Sequence, residues 1–323
     1  MLSLWACLQE LSGIEMINMI SVIICTYNPD ATRLNRTLNG LRSQDFPLQN
    51  WEVIIVDNSS KIPIIVDLTW HPSARIVKEP KPGLTSARVK GFTEAKGEII
   101  LMVDDDNVLD QNYLQNCSDI FDKYPRIGAI GGNIYPEFEV VPKKWTEEFW
   151  GNLAIRNLGQ IIKITNFSNN PARINHFPEF SPIGAGMGIR RTSLVRYLEM
   201  IKKEGGSIQD RSGNKLSSSG DNEIVMQILL SGSEIGFFPE LSLKHLIPRA
   251  RVQKDYLARL NQGIMESWVG FLRKYEICPW QPITKRTLPI RKLKSYLVNK
   301  AWRGHCEYVR WRGYCGFFNA LSK

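Results

Sequence analysis

The 323-residue sequence predicts an α/β fold: a mostly parallel central sheet flanked by helices, with a helical C-terminal extension. Two patterns carry that prediction. Apolar runs of strand length alternate with segments of helical periodicity from Ile20 to Lys123. Each of the longer runs also ends in polar or acidic residues, as expected where ligands sit at the carboxyl ends of parallel strands.

The elements follow in order. Ile20 to Cys25 is continuously apolar, the pattern of a strand covered on both faces. It runs into Thr26-Tyr27-Asn28-Pro29-Asp30, a turn with helix-start chemistry, after which Leu34, Leu38 and Leu41 recur at helical spacing. Glu52 to Val56 is a second strand, ending at Asp57-Asn58-Ser59-Ser60, and Ala74 to Val77 is a short third. Pro80-Lys81-Pro82-Gly83 then precedes a helix over about Thr85 to Lys96, closed by Gly97. Glu98 to Val103 is a fourth strand, ending at Asp104-Asp105-Asp106-Asn107, with a helix from about Asp110 to Lys123.

The second half is less regular. Residues 136–182 show little periodicity, whereas the small apolar run Ile183 to Ile189 reads as a strand that something approaches closely. Lys202 to Ser219 reads as a mobile loop, and Gly220-Asp221-Asn222-Glu223 opens a helix. A strand pair over Ile235 to Phe238 and Leu241 to Leu246, then a helix over about Tyr256 to Tyr275, complete the pattern.

Composition narrows the class. Hydrophobic residues at 43% and charged residues at 23% exclude a disordered, collagenous or heptad-dominated chain. No run of 18 apolar residues occurs, so no spanning helix is expected. The six cysteines form no C-x-x-C pair, which disfavours a zinc site or disulfide framework and suits a reducing compartment. Residues 1–18 carry Glu10 and Glu15 without a basic leader, so they read as an extension rather than a signal peptide. Met19, directly before the first strand, leaves the start position open. No G-x-G-x-x-G follows the first strand, and no Walker loop occurs.

The chemistry concentrates at strand ends. Asp104, Asp105 and Asp106 repel one another, and burial there demands a compensating cation such as Mg²⁺ or Mn²⁺. A solvated acidic turn capping the next helix is the alternative. Arg88, one turn into its helix, suits a phosphate contact or a surface cation. Asp221 and Glu223 at a helix start suit either chemistry or capping.

The ordered set Cys25-Thr-Tyr-Asn28, Val56-Asp57-Asn-Ser59, Gly83-Leu-Thr-Ser-Ala-Arg88, Asp104-Asp-Asp-Asn107, Gly184-Ala-Gly-Met187 and Ser219-Gly-Asp-Asn-Glu223 resembles the family 2 glycosyltransferases, inverting enzymes of the Rossmann-like GT-A fold. The likeness spans about residues 19–250, the expected catalytic domain, between the extension 1–18 and a basic-aromatic region 251–323. It implies a nucleotide-diphospho-sugar donor held by Thr26, Tyr27, Asp57, Arg88, Asp104 and Asp105. It implies a metal on Asp106, with His245 as a late metal or diphosphate contact and Arg249 and Arg251 as phosphate clamps or solvated cations. Gly186, Met187, Asn222 and Glu223 would line the sugar and acceptor pocket, and Asp221 would be the general base. The family's Glu before that aspartate is Gly220 here, which puts one acceptor contact in doubt. The implied reaction is transfer to a hydroxyl of a glycan or lipid-linked acceptor in polysaccharide biosynthesis. Competing readings are a nucleotidyltransferase, which usually carries a Gly-rich first loop absent here, and an inactive sugar-binding paralogue, against which Asp106 and Asp221 argue.

The net charge of +9 resides entirely in Lys285 to Lys323, with ten Lys/Arg and one Glu; the remaining 284 residues carry none. Nothing resembles a nucleic-acid-binding module, so no nucleic-acid partner is expected. Leu293, Tyr296, Leu297 and Ala301 recur at helical spacing among cations, and Trp302, Tyr308, Trp311, Tyr314, Phe317 and Phe318 add amphipathic rings. That pattern predicts an anionic membrane surface as partner for residues 285–323, and a cytoplasmic protein peripheral on the inner face of the plasma membrane. Packing of the rings on the catalytic domain is the alternative.

Overall fold

The computed structural model describes residues 19–167, 176–203 and 219–322. The extension 1–18 and all but the ends of the loop expected at Lys202 to Ser219 lie outside the described residues. The chain runs β1 (Ile20–Thr26), α1 (Ala31–Arg42), β2 (Trp51–Asp57), β3 (Ala74–Lys78), α2 (Leu84–Glu94), β4 (Ile99–Asp104), β5 (Asn107–Leu109), α3 (Tyr113–Lys123), β6 (Ile127–Phe138) and β7 (Lys163–Thr165). It continues through β8 (Gly188–Arg190), α4 (Val195–Lys203), α5 (Gly220–Leu230), β9 (Glu234–Ile247), α6 (Lys254–Lys274), α7 (Leu288–Val298) and α8 (His305–Leu321).

The described strands form one sheet in the order β3-β2-β1-β4-β8-β6-β9-β5, with β7 also paired to β9. The β3-β2-β1-β4 half is parallel. Beyond it β8 runs antiparallel between β4 and β6, β9 runs parallel to β6, and β5 antiparallel to β9. The continuous apolar strands have two buried faces. Ile20, Val22 and Ile24 point into one core with Leu34, Leu38 and Phe121. Ile23, Ile54 and Met102 point into the other with Phe92, Tyr197 and Ile224.

Two expectations change. The strand read at Ile183 to Ile189 is realised only from Gly188. Gly186 has φ +81°, and the Tyr113 hydroxyl donates to its carbonyl at 2.6 Å, so the chain turns instead of extending. The expected strand pair after α5 is one strand, β9, with a bulge: Gly131 pairs with Phe237 but Asn133 with Ser242. The extra residues include Pro239, which has no N–H to donate.

The C-terminal helices pack against the rest of the fold through α6. Val269 of α6 clusters with Ala320 and Leu321 of α8, and Val309 of α8 with Leu257 and Leu260 of α6. Among the described residues no helix is long and apolar enough to cross a membrane.

At the opposite end of the parallel strands lies a buried polar knot. Glu52 is buried and accepts from Ser21 Oγ at 2.7 Å and from the Lys96 amide at 2.7 Å, and pairs with Arg75 at 2.5 Å. Burial alone would raise its pKa, but Arg75, Ser21 and the amide outweigh it and hold the carboxyl below its usual 4.5. A depressed carboxylate pKa gives stability that is present above pH 4.5 and lost as the pH falls through the folded value. Glu52→Gln should destabilise the protein by about 2–4 kcal/mol at pH 7, because it leaves Arg75 half-buried without its partner. In denaturant titrations the gap to the wild type should narrow at acid pH; a constant gap would show that the charge contributes nothing.

Candidate active site

The parallel strands β1, β2 and β4 end together, so Thr26, Asp57 and Asp104 reach the same rim. A cleft of about 580 Å³ opens there. Its floor and walls include Thr26, Tyr27, Asn58 and Asp104 to Asp106, faced by Asn152 to Ala154 and by His245, Arg251 and Tyr256. Tyr27, 53% exposed, stands at the edge.

β5 explains the acidic run. Asn107 pairs with His245, and the Leu246 amide donates to the Asp106 carbonyl at 2.8 Å, so the ladder lays β9 beside the carboxylates. Asp106 is buried, with Arg251 Nη1 3.0 Å from Oδ2 and His245 Nε2 3.4 Å from Oδ1. Burial opposes its ionisation, but the His245 and Arg251 interactions win and hold its pKa at about 2. The neighbours lack that compensation. Burial, then the charge of Asp106, pushes Asp105 up to about 6, against the hydrogen bond that Thr26 Oγ1 donates to it. Burial and Asp106 likewise raise Asp104. The solvated-turn reading of the acidic run therefore does not describe Asp106.

His245 is oriented from behind. Its Nδ1–H donates to the Leu153 carbonyl at 2.9 Å, so the ring presents Nε2 to the cleft, 3.4 Å from Asp106 Oδ1 and 3.0 Å from Arg251 Nη1. The donors suit a hard cation: one carboxylate and one imidazole whose tautomer a carbonyl fixes. Among the described residues no three His, Cys, Asp or Glu side chains gather as a metal-holding group. Arg249 does not join Arg251; its amide donates to Glu139 Oε2 at 2.8 Å on an exposed turn.

A second constellation also lies near Asp104, which feels the charges of both Arg88 and Asp221. Arg88 is buried and ion-paired to Asp221 Oδ1 at 2.5 Å, while the Gly184 amide donates to Oδ2 at 2.8 Å. Arg88 thus faces a carboxylate where the sequence suggested phosphate. Asn222, next in sequence to Asp221, is half-buried. Met187 places its side chain in the core, and its carbonyl accepts from the Met102 amide at 2.9 Å. Glu223 turns to Lys274, 3.3 Å away, and to the Tyr275 hydroxyl, so it ties α5 to the end of α6.

Asp57 is buried; its Oδ1 caps the turn by accepting from the Ser60 amide at 2.9 Å. Asn58, unremarked in the sequence except as part of a motif, staples this turn to the Pro80–Gly83 loop. It donates to the carbonyls of Glu79 at 3.1 Å and Lys81 at 2.7 Å and accepts from Gly83 N at 2.7 Å. Tyr256 and the Asn152–Ala154 wall were also missed, because they lie on an aperiodic segment and on a helix whose register alone does not reveal a cleft.

A mixed sheet with an acidic cleft at the carboxyl ends of its parallel strands defines an α/β ligand-binding protein of the nucleotide-site type. Residues 21–197 match the profile of glycosyl transferase family 2, over half of the chain, and the chain belongs to that family. The match ends before α5 and β9, so Asp221 and His245 rest on geometry. A glucosyl-dolichyl phosphate glucuronosyltransferase of Haloferax volcanii is 25% identical over 41% of this chain and 43% of its own. A dolichol-phosphate mannosyltransferase of Pyrococcus furiosus is 31% identical over 27% and 25%. A poly-beta-1,6-N-acetyl-D-glucosamine synthase of Staphylococcus epidermidis is 28% identical over 37% and 29%. The chain thus spans less than half the length of these curated relatives. S. aureus TarS 1–349 in complex with UDP-GlcNAc superposes with a TM-score of 0.49 at 15% identity, covering 94% of this chain and 90% of that one.

Gly184 is where the second constellation is most exacting. A Cβ there would lie 2.7 Å from Arg88 Nη2 and 2.8 Å from Asp221 Oδ1. Gly184→Ala should cost about 1–3 kcal/mol of stability by overpacking a pair held from both sides. A thermal midpoint equal to wild type would mean that the pair yields freely.

Proposed function

We propose that the protein is a metal-dependent, inverting glycosyltransferase that moves a sugar from a nucleotide-diphospho-sugar to a hydroxyl of a glycan or lipid-linked acceptor. The observation that carries this reading is the convergence of Asp106–His245 and Asp221–Arg88 around Asp104, in a chain of this family. The activities for which these relatives are named favour lipid-linked and polysaccharide acceptors.

Asp106 and His245 would hold a Mg²⁺ or Mn²⁺ ion, which when bound supplies charge neutralisation for the leaving diphosphate. Tyr27, Asp57 and the Asn58-stapled loop form the nucleoside end of the cleft, with Thr26 fixing Asp105 at the sugar side. Arg251 is within reach of a diphosphate placed against Asp106 and adds a second positive charge there. Asp221, held by Arg88 and the Gly184 amide, accepts the proton of the acceptor hydroxyl. The acceptor oxygen then forms a bond to the anomeric carbon. The bond from that carbon to the diphosphate oxygen breaks, its electron pair leaves with the nucleoside diphosphate, and the configuration inverts in one displacement. Asn222 and the Gly186 turn lie on the acceptor side, and Glu223 acts at a distance by fixing α5.

The test is turnover of a panel of UDP-, GDP- and dTDP-sugars with and without Mn²⁺, for wild type and Asp221→Asn. The substitution keeps shape but cannot take a proton, so turnover should fall by roughly 10²–10⁴-fold with donor binding retained. A near wild-type rate would remove Asp221 from the role of base.

A further inference from the structure

The helix α7 is amphipathic in the wrong sense for a folded surface. Ile290, Leu293 and Leu297 share one face at spacings of three and four, and together with Val298 they are 55–70% exposed. Ser295, only 8% exposed, is the residue turned inward. Trp302, also exposed, extends the apolar face beyond the helix end. Lys285, Arg286, Arg291, Lys294, Lys300 and Arg303 are all exposed around it. No acidic residue occurs from Ile277 to Cys306.

We infer that the outward apolar face of α7, ringed by these cations, docks on an anionic lipid bilayer and sets the orientation of the cleft relative to it. The docking stands on α7 alone; only its use for a lipid-linked acceptor rests on the proposed function. Charge selects the occupant. A second copy would press one all-basic surface against another, whereas an anionic surface complements it and admits the apolar side chains below the headgroups. Each cation near such a surface strengthens binding about fivefold, and salt weakens the effect.

The structure divides the aromatic residues of this region between two tasks. Trp311 donates through Nε1 to the Lys292 carbonyl at 3.0 Å and packs edge-on against Tyr296 at 5.1 Å, which holds α7 on α8. Tyr308 and Phe317 pack toward α6, and Ala301 is buried. These side chains build a platform and do not face lipid. That platform is rigidly joined to the cleft. Asn261 of α6 donates to the Val309 carbonyl at 2.9 Å, and Arg312 of α8 donates to Gln262 Oε1 at 2.7 Å. Tyr256 and Leu260, on the same α6, line the cleft. Residues 285–322 are therefore a fixed base and not a loose tether.

The experiment is co-sedimentation with vesicles of phosphatidylcholine alone and of phosphatidylcholine with phosphatidylglycerol, at low and high salt. Wild type should bind the phosphatidylglycerol vesicles at least about tenfold more tightly than the neutral ones, and less so at high salt. The double variant Leu293→Glu/Leu297→Glu should lose a further tenfold or more, roughly the effect of withdrawing one or two leucines from an apolar environment. Arg291→Gln/Lys294→Gln, which leaves the apolar face intact, should weaken binding to the phosphatidylglycerol vesicles by about 25-fold and carries the test if the glutamates disturb folding. Donor hydrolysis without lipid should be unchanged in both variants. Equal binding by wild type and variants, or no binding by any, overturns the inference. So does a wild-type dimer in sedimentation velocity that the double variant abolishes, since the face would then belong to a second copy. Loss of donor turnover in a wild type that still binds vesicles would instead strike the proposed function.

Discussion

The buried charge of Asp106 is the constraint on which the site depends. Three consecutive carboxylates at the end of β4 oppose one another's ionisation in a partly dry cleft, and the chain compensates one of them. That compensation requires β9 to run beside β5, because only the Asn107–His245 pairing brings an imidazole and, six residues on, a guanidinium to the same carboxylate. The bulge in β9 serves the same end: it takes up residues around Pro239 before the strand resumes its pairing with β6 and reaches His245 in register. The mixed half of the sheet can thus be understood as the frame that delivers a counter-charge to the parallel half.

The opposite wall obeys a related logic. Arg88 is too deeply buried to stand alone, and Asp221 neutralises it, while Gly184 is small enough to let its amide approach the carboxylate. Asp221 keeps a place half open to solvent at the first turn of α5, where the helix N-terminus favours negative charge. Glu223, two residues further along the same helix and so on its opposite side, is consumed by Lys274 and Tyr275. Two acidic residues in one short motif therefore have different fates, determined by which side of α5 each occupies.

Much of the fold was legible because two-sided burial writes long apolar runs. β1, β2 and β4 fall within a residue or two of their expected bounds, and the Asp triplet marks the strand end where it occurs. The partnership of Asp106 with Arg251 was not legible, since it depends on sheet order and not on local pattern. Ile183 to Met187 read as strand on composition alone, but a left-handed Gly186 and the Tyr113 hydroxyl decide otherwise. The C-terminal rings illustrate the same limit. Spacing announces an amphipathic helix but not which face finds a partner, and Tyr296 and Ala301, grouped with Leu293 and Leu297 by periodicity, turn inward against Trp311 and the platform.

The central claim is that Asp106 and His245 form the protein's half of a cation site completed by the donor diphosphate. Pulsed electron paramagnetic resonance of Mn²⁺ in the presence of UDP, GDP or dTDP tests it most directly, because a ligating imidazole leaves a nitrogen modulation on the metal signal. The account predicts nucleotide-dependent Mn²⁺ binding with that modulation in wild type, loss of the modulation in His245→Gln, and loss of binding in Asp106→Asn. Mn²⁺ bound equally well by Asp106→Asn, or a wild-type signal without nitrogen coupling, would contradict it.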